Sequence, residues 1–203
     1  MFLPAAEKNG MIHRIGEFVF SEVCRFIASK TFDDIGLEYV EVNLSAAECM
    51  QEHLSETIIS TLTKFNVSPS KLSISIPETA ISQSKSQLTN TLDTLVNAGV
   101  SITLDDFGKG YSNLQKISQL PFRAIKLDKS FADNSNYSKA NIILESILNL
   151  AKALNLETVI GGVETEASLK QFERLNCDYV QGYYFAEPMP EENFTDFIKK
   201  SFR

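Results

Sequence analysis

Two adjacent acidic residues, Asp105 and Asp106, follow an apolar run and precede the glycine-rich turn Phe107–Gly110. Carboxylates are hard oxygen ligands of the kind that Mg²⁺ and Mn²⁺ prefer. Side chains alternate between the faces of a strand, so we expect Asp105 to face inward and the turn to bring Asp106 to the same side. The pair predicts a site for divalent cations. The alternative is that an aspartate only caps the next helix.

Polar residues also end three other predicted strands. Asn43 can donate a carbonyl oxygen to a cation, Lys126 can hold a hydroxide or a phosphate oxygen, and Gln181 can orient a water molecule. Because the carboxyl ends of parallel strands meet at one rim, we expect these side chains to lie near Asp105. The alternative is a solvated polar rim that binds no ligand.

Six short runs rich in β-branched residues predict the strands that position these side chains. One face of each run is mostly Val, Ile and Leu, whereas the other becomes polar toward its C-terminal end. A doubly wound sheet would be apolar on both faces, so this pattern favours a barrel-like sheet with a polar inner rim. The predicted strands are Tyr39–Asn43, Leu72–Ile76, Val100–Asp105, Phe122–Lys126, Thr158–Gly161 and Tyr179–Gln181.

Amphipathic stretches of helical period separate most of the strands, which is typical of βαβ units and a parallel sheet. We therefore expect one α/β domain over residues 1–203 with a TIM-barrel-like fold. A complete barrel has eight strands, so the predicted barrel is incomplete at its N-terminal side. The predicted helices are Ile15–Ala28, Leu54–Phe65, Lys85–Ala98, Ala140–Leu154, Glu166–Leu175 and Glu191–Phe202.

Composition excludes several classes of function. The formal net charge of −7 argues against sequence-independent binding to nucleic acid. Two histidines and three cysteines without a CxxC pair make zinc sites and Ser-His-Asp hydrolases poor fits. Neither an apolar run long enough to span a membrane nor a secretion leader is visible, so we expect a cytoplasmic location.

Five segments of the chain carry a resemblance to a known family. They are Phe2–Ile12, VNLS at Val42–Ser45, Leu104–Phe131, GVET at Gly162–Thr165 and Cys177–Pro190. These segments closely resemble the EAL domain family, and the similarity extends over nearly the whole chain. The block from Leu104 to Phe131 and the segment around QGYYF are specific to that family when they occur together. The resemblance implies an EAL fold of TIM-barrel type.

The resemblance also implies roles for the residues at the strand ends. Active members of the family hydrolyse cyclic di-GMP to the linear dinucleotide with two Mg²⁺ or Mn²⁺ ions. The family's metal-binding residues correspond to Asn43, Asp105 and Asp106. Its lysine that positions the attacking water corresponds to Lys126, and Asp106 and Lys126 are also expected to face the ligand.

Further correspondences lie outside the central strands. The second glutamate of the family's AEGVET motif corresponds to Glu164, and the glutamine of its QGY motif corresponds to Gln181. Both are expected to face the ligand. The family's loop that couples metal binding to dimerisation corresponds to Phe107–Asn113, and the glutamate that anchors this loop corresponds to Glu78.

Three departures from the family pattern bear on activity. The strand with the Glu-Ala-Leu signature lies upstream of the first matching segment, so its glutamate and a nearby arginine are not in this chain. Two further metal-binding glutamates of the family fall on Ser75 and Gly161. Two divalent ions repel each other strongly unless carboxylates offset their charge. We therefore expect weak or no binding of Mg²⁺ or Mn²⁺ and no appreciable hydrolysis.

Glu41 has the same inward parity as Asn43, one layer deeper in the predicted barrel. An acid in a barrel interior is uncommon. Glu41 either faces a gap in the barrel and stays hydrated, or replaces a missing metal ligand, or pairs with a nearby cation. The sequence leaves these three alternatives open.

Three functions remain open from the sequence. The first is a non-catalytic EAL domain that acts in signalling through a protein partner or a homodimer, with an exposed sheet edge available for pairing. The second is a receptor that binds cyclic di-GMP without cleaving it. The third is a fragment of an active phosphodiesterase that another segment or chain completes.

Overall fold

Six parallel strands form one sheet whose order follows the chain from β1 to β6. This computed structural model describes residues 2–83, 86–108, 114–128, 130–133 and 138–201. Each strand is predicted to within two residues at either end. The strands are β1 Val40–Asn43, β2 Leu72–Pro77, β3 Ser101–Phe107, β4 Ala124–Leu127, β5 Glu157–Ile160 and β6 Tyr179–Val180.

Helices connect the strands and cover one face of the sheet. The six predicted helices are all present, and several short helices that carry little sequence signal lie between them. Lys85 and Phe202, at the ends of two predicted helices, lie outside the described residues. The helices are α1 Leu3–Lys8, α2 Ile12–Ile27, α3 Lys30–Asp34, α4 Ala46–Cys49, α5 Leu54–Lys64, α6 Glu78–Gln83, α7 Ser86–Asn97, α8 Leu114–Ile117, α9 Ser130–Asp133, α10 Ser138–Ala153, α11 Glu166–Glu173 and α12 Glu191–Ser201.

The hydrophobic core lies between the outer face of the sheet and these helices. Helix α7 packs on β3, and α10 packs on β5. Alternate residues of the central strands, among them Ile74, Ile102 and Leu104, are almost completely buried there. Burial of this face stabilises the strands by the hydrophobic effect. The apolar face predicted from strand parity is therefore confirmed.

The inner face of the sheet is polar and strongly curved. Ser73 on β2 and Thr103 on β3 are buried on this face, and their hydroxyl groups lie 3.3 Å apart. Hydrogen bonding between the two hydroxyls compensates for the loss of water around them. The parallel sheet with helices outside and polar residues inside agrees with the predicted TIM-barrel-like fold.

Within the described residues, β1 pairs only with β2 and β6 pairs only with β5. The sheet is therefore an open half-barrel with two free edges in this part of the chain. Helix α2 packs beside β1 and leaves Phe18 and Val19 exposed. No helix of the described part combines the length and apolarity that crossing a membrane requires.

Candidate functional site

The end of β3 carries Asp105 and Asp106 and is distorted by an irregularity in its pairing with β4 between Leu104 and Phe107. Asp106 has a φ of 56°, in the left-handed region that few non-glycine residues adopt. Its N–H donates a hydrogen bond of 2.7 Å to Oδ1 of Asp105. This bulge allows two consecutive carboxylates to line the same cavity, as the sequence predicted.

Asp105 receives hydrogen bonds from within the protein on both carboxylate oxygens. Ser75 on β2 donates its hydroxyl to Oδ2 at 3.2 Å, while Oδ1 accepts the backbone N–H of Asp106. The ammonium of Lys126 lies 3.9 Å from the same Oδ2. Protein donors therefore already stabilise the charge of this carboxylate.

Lys126 on β4 reaches across the inner face to Glu41 on β1. Its Nζ lies 3.5 Å from Oε1 of Glu41, and both side chains are largely shielded from solvent, at 14% and 28% exposure. Of the three alternatives left open for Glu41, the structure shows pairing with a nearby cation. Lys126 thus lies within 4 Å of carboxylates of two different strands.

A cavity of about 410 Å³ opens at the C-terminal ends of β3 to β6. Asp105, Asp106 and Lys126 form one side of it, and Glu164 and Gln181 lie on the other side with exposed side chains. The structure therefore brings five of the predicted residues to one cavity. Their functional roles stay predictions.

Asp128 also lines this cavity, although the sequence interpretation did not single it out. It is buried, and its Oδ1 accepts the N–H of Ser130 at 2.9 Å. Strand parity was a usable signal, because Asp128 continues the inward series of Ala124 and Lys126 by one more residue. Tyr183 was missed as well, and it contributes an exposed ring at the cavity mouth.

Asn43 lies elsewhere on the rim. It ends β1 opposite Ser75 in the strand register, and it is exposed. It lines a second cavity, beside Leu3 and Glu7, and is not among the residues that line the cavity of Asp105. Its predicted role as a metal ligand stays a prediction.

Glu78 is buried at the start of α6, beneath the turn that follows β3. Its Oε2 accepts the backbone N–H of Gly108 at 3.0 Å, whereas its buried Oε1 has no hydrogen-bond partner among the described residues. Glu78 therefore holds the first part of the predicted loop Phe107–Asn113. Residues 109–113 lie outside the described residues, and the anchoring role stays a prediction.

Ser75 and Gly161 occupy the positions where the family resemblance placed glutamates. Ser75 is buried between Asn43 and Thr103 in the register of the sheet. Gly161 follows β5 and lines the cavity, and among the described residues a Cβ atom there would meet the carbonyl oxygen of Leu127, at 3.4 Å. That distance is ordinary van der Waals contact, so a Cβ atom at Gly161 fits.

The donor set does not fit a pair of divalent ions. The described residues contain no group of three or more His, Cys, Asp or Glu side chains arranged to hold a metal ion. Ser75 and Gly161 contribute no charge, and the ammonium of Lys126 lies beside Asp105, where it would repel a cation. The cavity can present hydrogen-bonding groups and an ammonium to a ligand.

Comparison with known proteins gives a consistent family match. The EAL domain family matches residues 1–188. The chain is 32% identical over 192 residues to the oxygen sensor protein DosP of Escherichia coli, covering 94% of the chain and 24% of DosP. It is 35% identical over 192 residues to the bifunctional diguanylate cyclase/cyclic di-GMP phosphodiesterase MucR of Pseudomonas aeruginosa, covering 94% of the chain and 28% of MucR.

Solved structures show the same fold. The PaMucR phosphodiesterase in complex with c-di-GMP superposes with a TM-score of 0.89 at 35% identity, covering 95% of this chain and 78% of that one. The EAL domain of Mycobacterium smegmatis DcpA has a TM-score of 0.84 at 25% identity, covering 93% and 85%. This chain spans about a quarter of the length of the curated relatives named above.

Proposed function

Because this chain belongs to the EAL domain family of cyclic di-GMP phosphodiesterases, we propose that it is a degenerate member that does not hydrolyse cyclic di-GMP and that acts in signalling through protein contacts. The observation that carries this proposal is that two neutral residues, Ser75 in contact with Asp105 and Gly161 in the lining of the same cavity, contribute no charge to the site. Each stands where the resemblance places a metal-binding glutamate. Without those charges the site lacks the anions that two dications need.

The geometry around Asp105 supports the same proposal. Two-metal hydrolysis of a phosphodiester holds its ions ~3.5–4 Å apart to stabilise the attacking and leaving oxygens. Here Ser75 and Lys126 are the partners of the Asp105 Oδ2 atom. A cation at that oxygen would have to displace an ammonium and a hydroxyl donor, which lowers its affinity.

Protein contacts are proposed at the open edge of β1. An extended segment of another protein can add a strand to a free edge through backbone hydrogen bonds. A groove of about 540 Å³ lies beside this edge, with Phe18 and Val23 of α2 in its wall. The charged groups there are paired, since Arg25 binds Glu22 and Glu191 and Glu41 binds Lys126. An uncharged apolar strand suits this groove.

Binding of cyclic di-GMP without cleavage is a second candidate function. It is favoured by the cavity that gathers Asp106, Lys126, Glu164 and Gln181, and by the solved PaMucR structure that holds c-di-GMP in the same fold. Calorimetric titration with cyclic di-GMP, with and without Mg²⁺, separates the two. Saturable binding supports the receptor, whereas no heat at high ligand concentration leaves protein contacts as the function.

A steady-state assay tests the proposal directly. The purified chain is incubated with cyclic di-GMP and Mn²⁺, and the linear dinucleotide is measured by chromatography, with the MucR phosphodiesterase domain as the positive control. We expect no turnover above that of a protein-free blank. Turnover comparable to that of the control would refute the proposal and favour a hydrolase in which other residues complete the site.

A further inference from the structure

The ammonium of Lys126 lies within 4 Å of two carboxylates that belong to different strands of the half-barrel. Its Nζ is 3.5 Å from Oε1 of Glu41 and 3.9 Å from Oδ2 of Asp105. These carboxylates belong to different strands, β1 and β3, so they are far apart along the chain. A cation in this position stabilises both acids together.

We propose that Lys126 serves as an internal cation, which Glu41 holds near Asp105, so that the charges of these two carboxylates are partly neutralised without a bound metal ion. This inference rests on the proposed absence of two-metal hydrolysis and explains what replaces the ions. The cluster of Glu41, Asp105 and Lys126 carries a formal charge of about −1. Without the ammonium, two carboxylates would face each other in a poorly solvated interior, which is costly.

Glu41 acts here as a positioning residue. It lines the groove beside β1 and is not among the residues that line the cavity of Asp105. Its carboxylate contacts Lys126, which does line that cavity. Glu41 thereby draws the ammonium toward the deeper layer of the barrel and fixes where its charge lies relative to Asp105.

Removal of the ammonium should convert the cluster into a cation site. The oxygens of Glu41 and Asp105 both lie within 4 Å of Nζ, so both can approach one ion placed near that point. Hard carboxylate oxygens suit Mn²⁺. We expect Lys126→Met to bind Mn²⁺ at least about tenfold more tightly than the wild type, equivalent to about 1.4 kcal/mol.

The experiment is a titration of the nucleotide-free chain with Mn²⁺, followed by electron paramagnetic resonance of the free ion. The variants are Lys126→Met, Glu41→Gln and the double variant, and Lys152→Met at an exposed position of α10 is the matched control. The double variant should bind Mn²⁺ at least about threefold less tightly than Lys126→Met, because one of the two carboxylates is then neutral. Glu41→Gln alone and Lys152→Met should not bind more tightly than the wild type.

Three results would overturn the inference. They are no gain in Mn²⁺ affinity in Lys126→Met, a gain in the double variant as large as that in Lys126→Met, and a gain in Mn²⁺ affinity in Glu41→Gln alone. Circular dichroism establishes that each variant is folded, and Lys126→Gln replaces Lys126→Met if the latter does not fold. The outcome is separable from the proposed function. Hydrolysis of cyclic di-GMP by the wild type would refute the proposed function, whatever the Mn²⁺ affinities of these variants. If Lys126→Met shows no gain in Mn²⁺ affinity, the inference about Lys126 fails, and the result of the hydrolysis assay is unaffected.

Discussion

The ammonium of Lys126 on β4 lies 3.5 Å from Oε1 of Glu41 on β1, although β2 and β3 separate these strands in the sheet. Contact between such distant strands requires a strongly curved sheet whose inner face closes toward itself, as in a barrel. Lys126 also lies 3.9 Å from Oδ2 of Asp105 at the polar rim. The curvature of the sheet therefore brings charged groups of three strands together at this site.

A carboxylate returned to the position of Gly161 should raise the affinity for divalent cations. The glycine lines the cavity and has space for a Cβ atom. We expect Gly161→Glu to bind Mn²⁺ at least about tenfold more tightly than the wild type, because it adds an anion near Asp105 and Asp106. Ser60→Glu on the exposed surface of α5 is the matched control. Equal affinities of these two variants, measured by Mn²⁺ titration, would contradict the assignment of Gly161.

Two glycines at the rim should differ sharply in their tolerance of a methyl group. A Cβ atom on Gly182 would overlap the backbone of Val163, whereas within the described part of the chain one on Gly161 meets the carbonyl oxygen of Leu127 at ordinary contact distance. Gly182→Ala should lower the free energy of unfolding by ~1–3 kcal/mol. Gly161→Ala should change it by less than about 0.5 kcal/mol. Urea unfolding measures both, and equal losses would show that the rim is packed differently.

The hydrogen bond between Glu78 and the turn after β3 can be tested with two neutral replacements. The amide oxygen of Glu78→Gln can still accept the N–H of Gly108, whereas Glu78→Ala leaves that N–H without its acceptor. We expect the alanine variant to be less stable than the glutamine variant by ~1–3 kcal/mol. Equal unfolding free energies in urea would show that this contact does not hold the turn.

Strand parity predicted most of the site because it depends only on alternation along each strand. It placed Ser75, Asp105 and Lys126 on one face, and all three meet there. It did not decide the partner of Glu41, since a contact across the barrel depends on curvature that a linear pattern does not contain. Nor did it show that Asn43 lines a different cavity from Asp105, because strand ends are staggered around a barrel.

Buried thiols should make stability fall in alkaline solution. Burial raises the pKa of the Cys24 thiol to about 11. Burial also raises the pKa of the Cys49 thiol to about 12, with a smaller contribution from Glu48. In the unfolded chain a thiol has a pKa of about 8.5. Below that pH both states are protonated, and the stability contributed by the two raised pKa values is fully present.

As the pH rises from about 9 toward 11, the unfolded chain releases thiol protons that the folded chain keeps. The free energy of unfolding should therefore fall by up to about 1.4 kcal/mol per pH unit for each thiol. Urea unfolding at several pH values measures this slope. The double variant Cys24→Ala/Cys49→Ala should show a flatter slope than the wild type, whatever its absolute stability. Identical slopes would contradict the burial of these thiols.

Anomalous diffraction from crystals soaked with Mn²⁺ and cyclic di-GMP tests most directly whether the site holds two metal ions. If Lys126 and the neutral residues Ser75 and Gly161 leave the cavity short of anionic ligands, the maps should contain no pair of manganese peaks near Asp105. Two fully occupied peaks ~3.5–4 Å apart, bridged by a phosphate of the dinucleotide, would contradict the account.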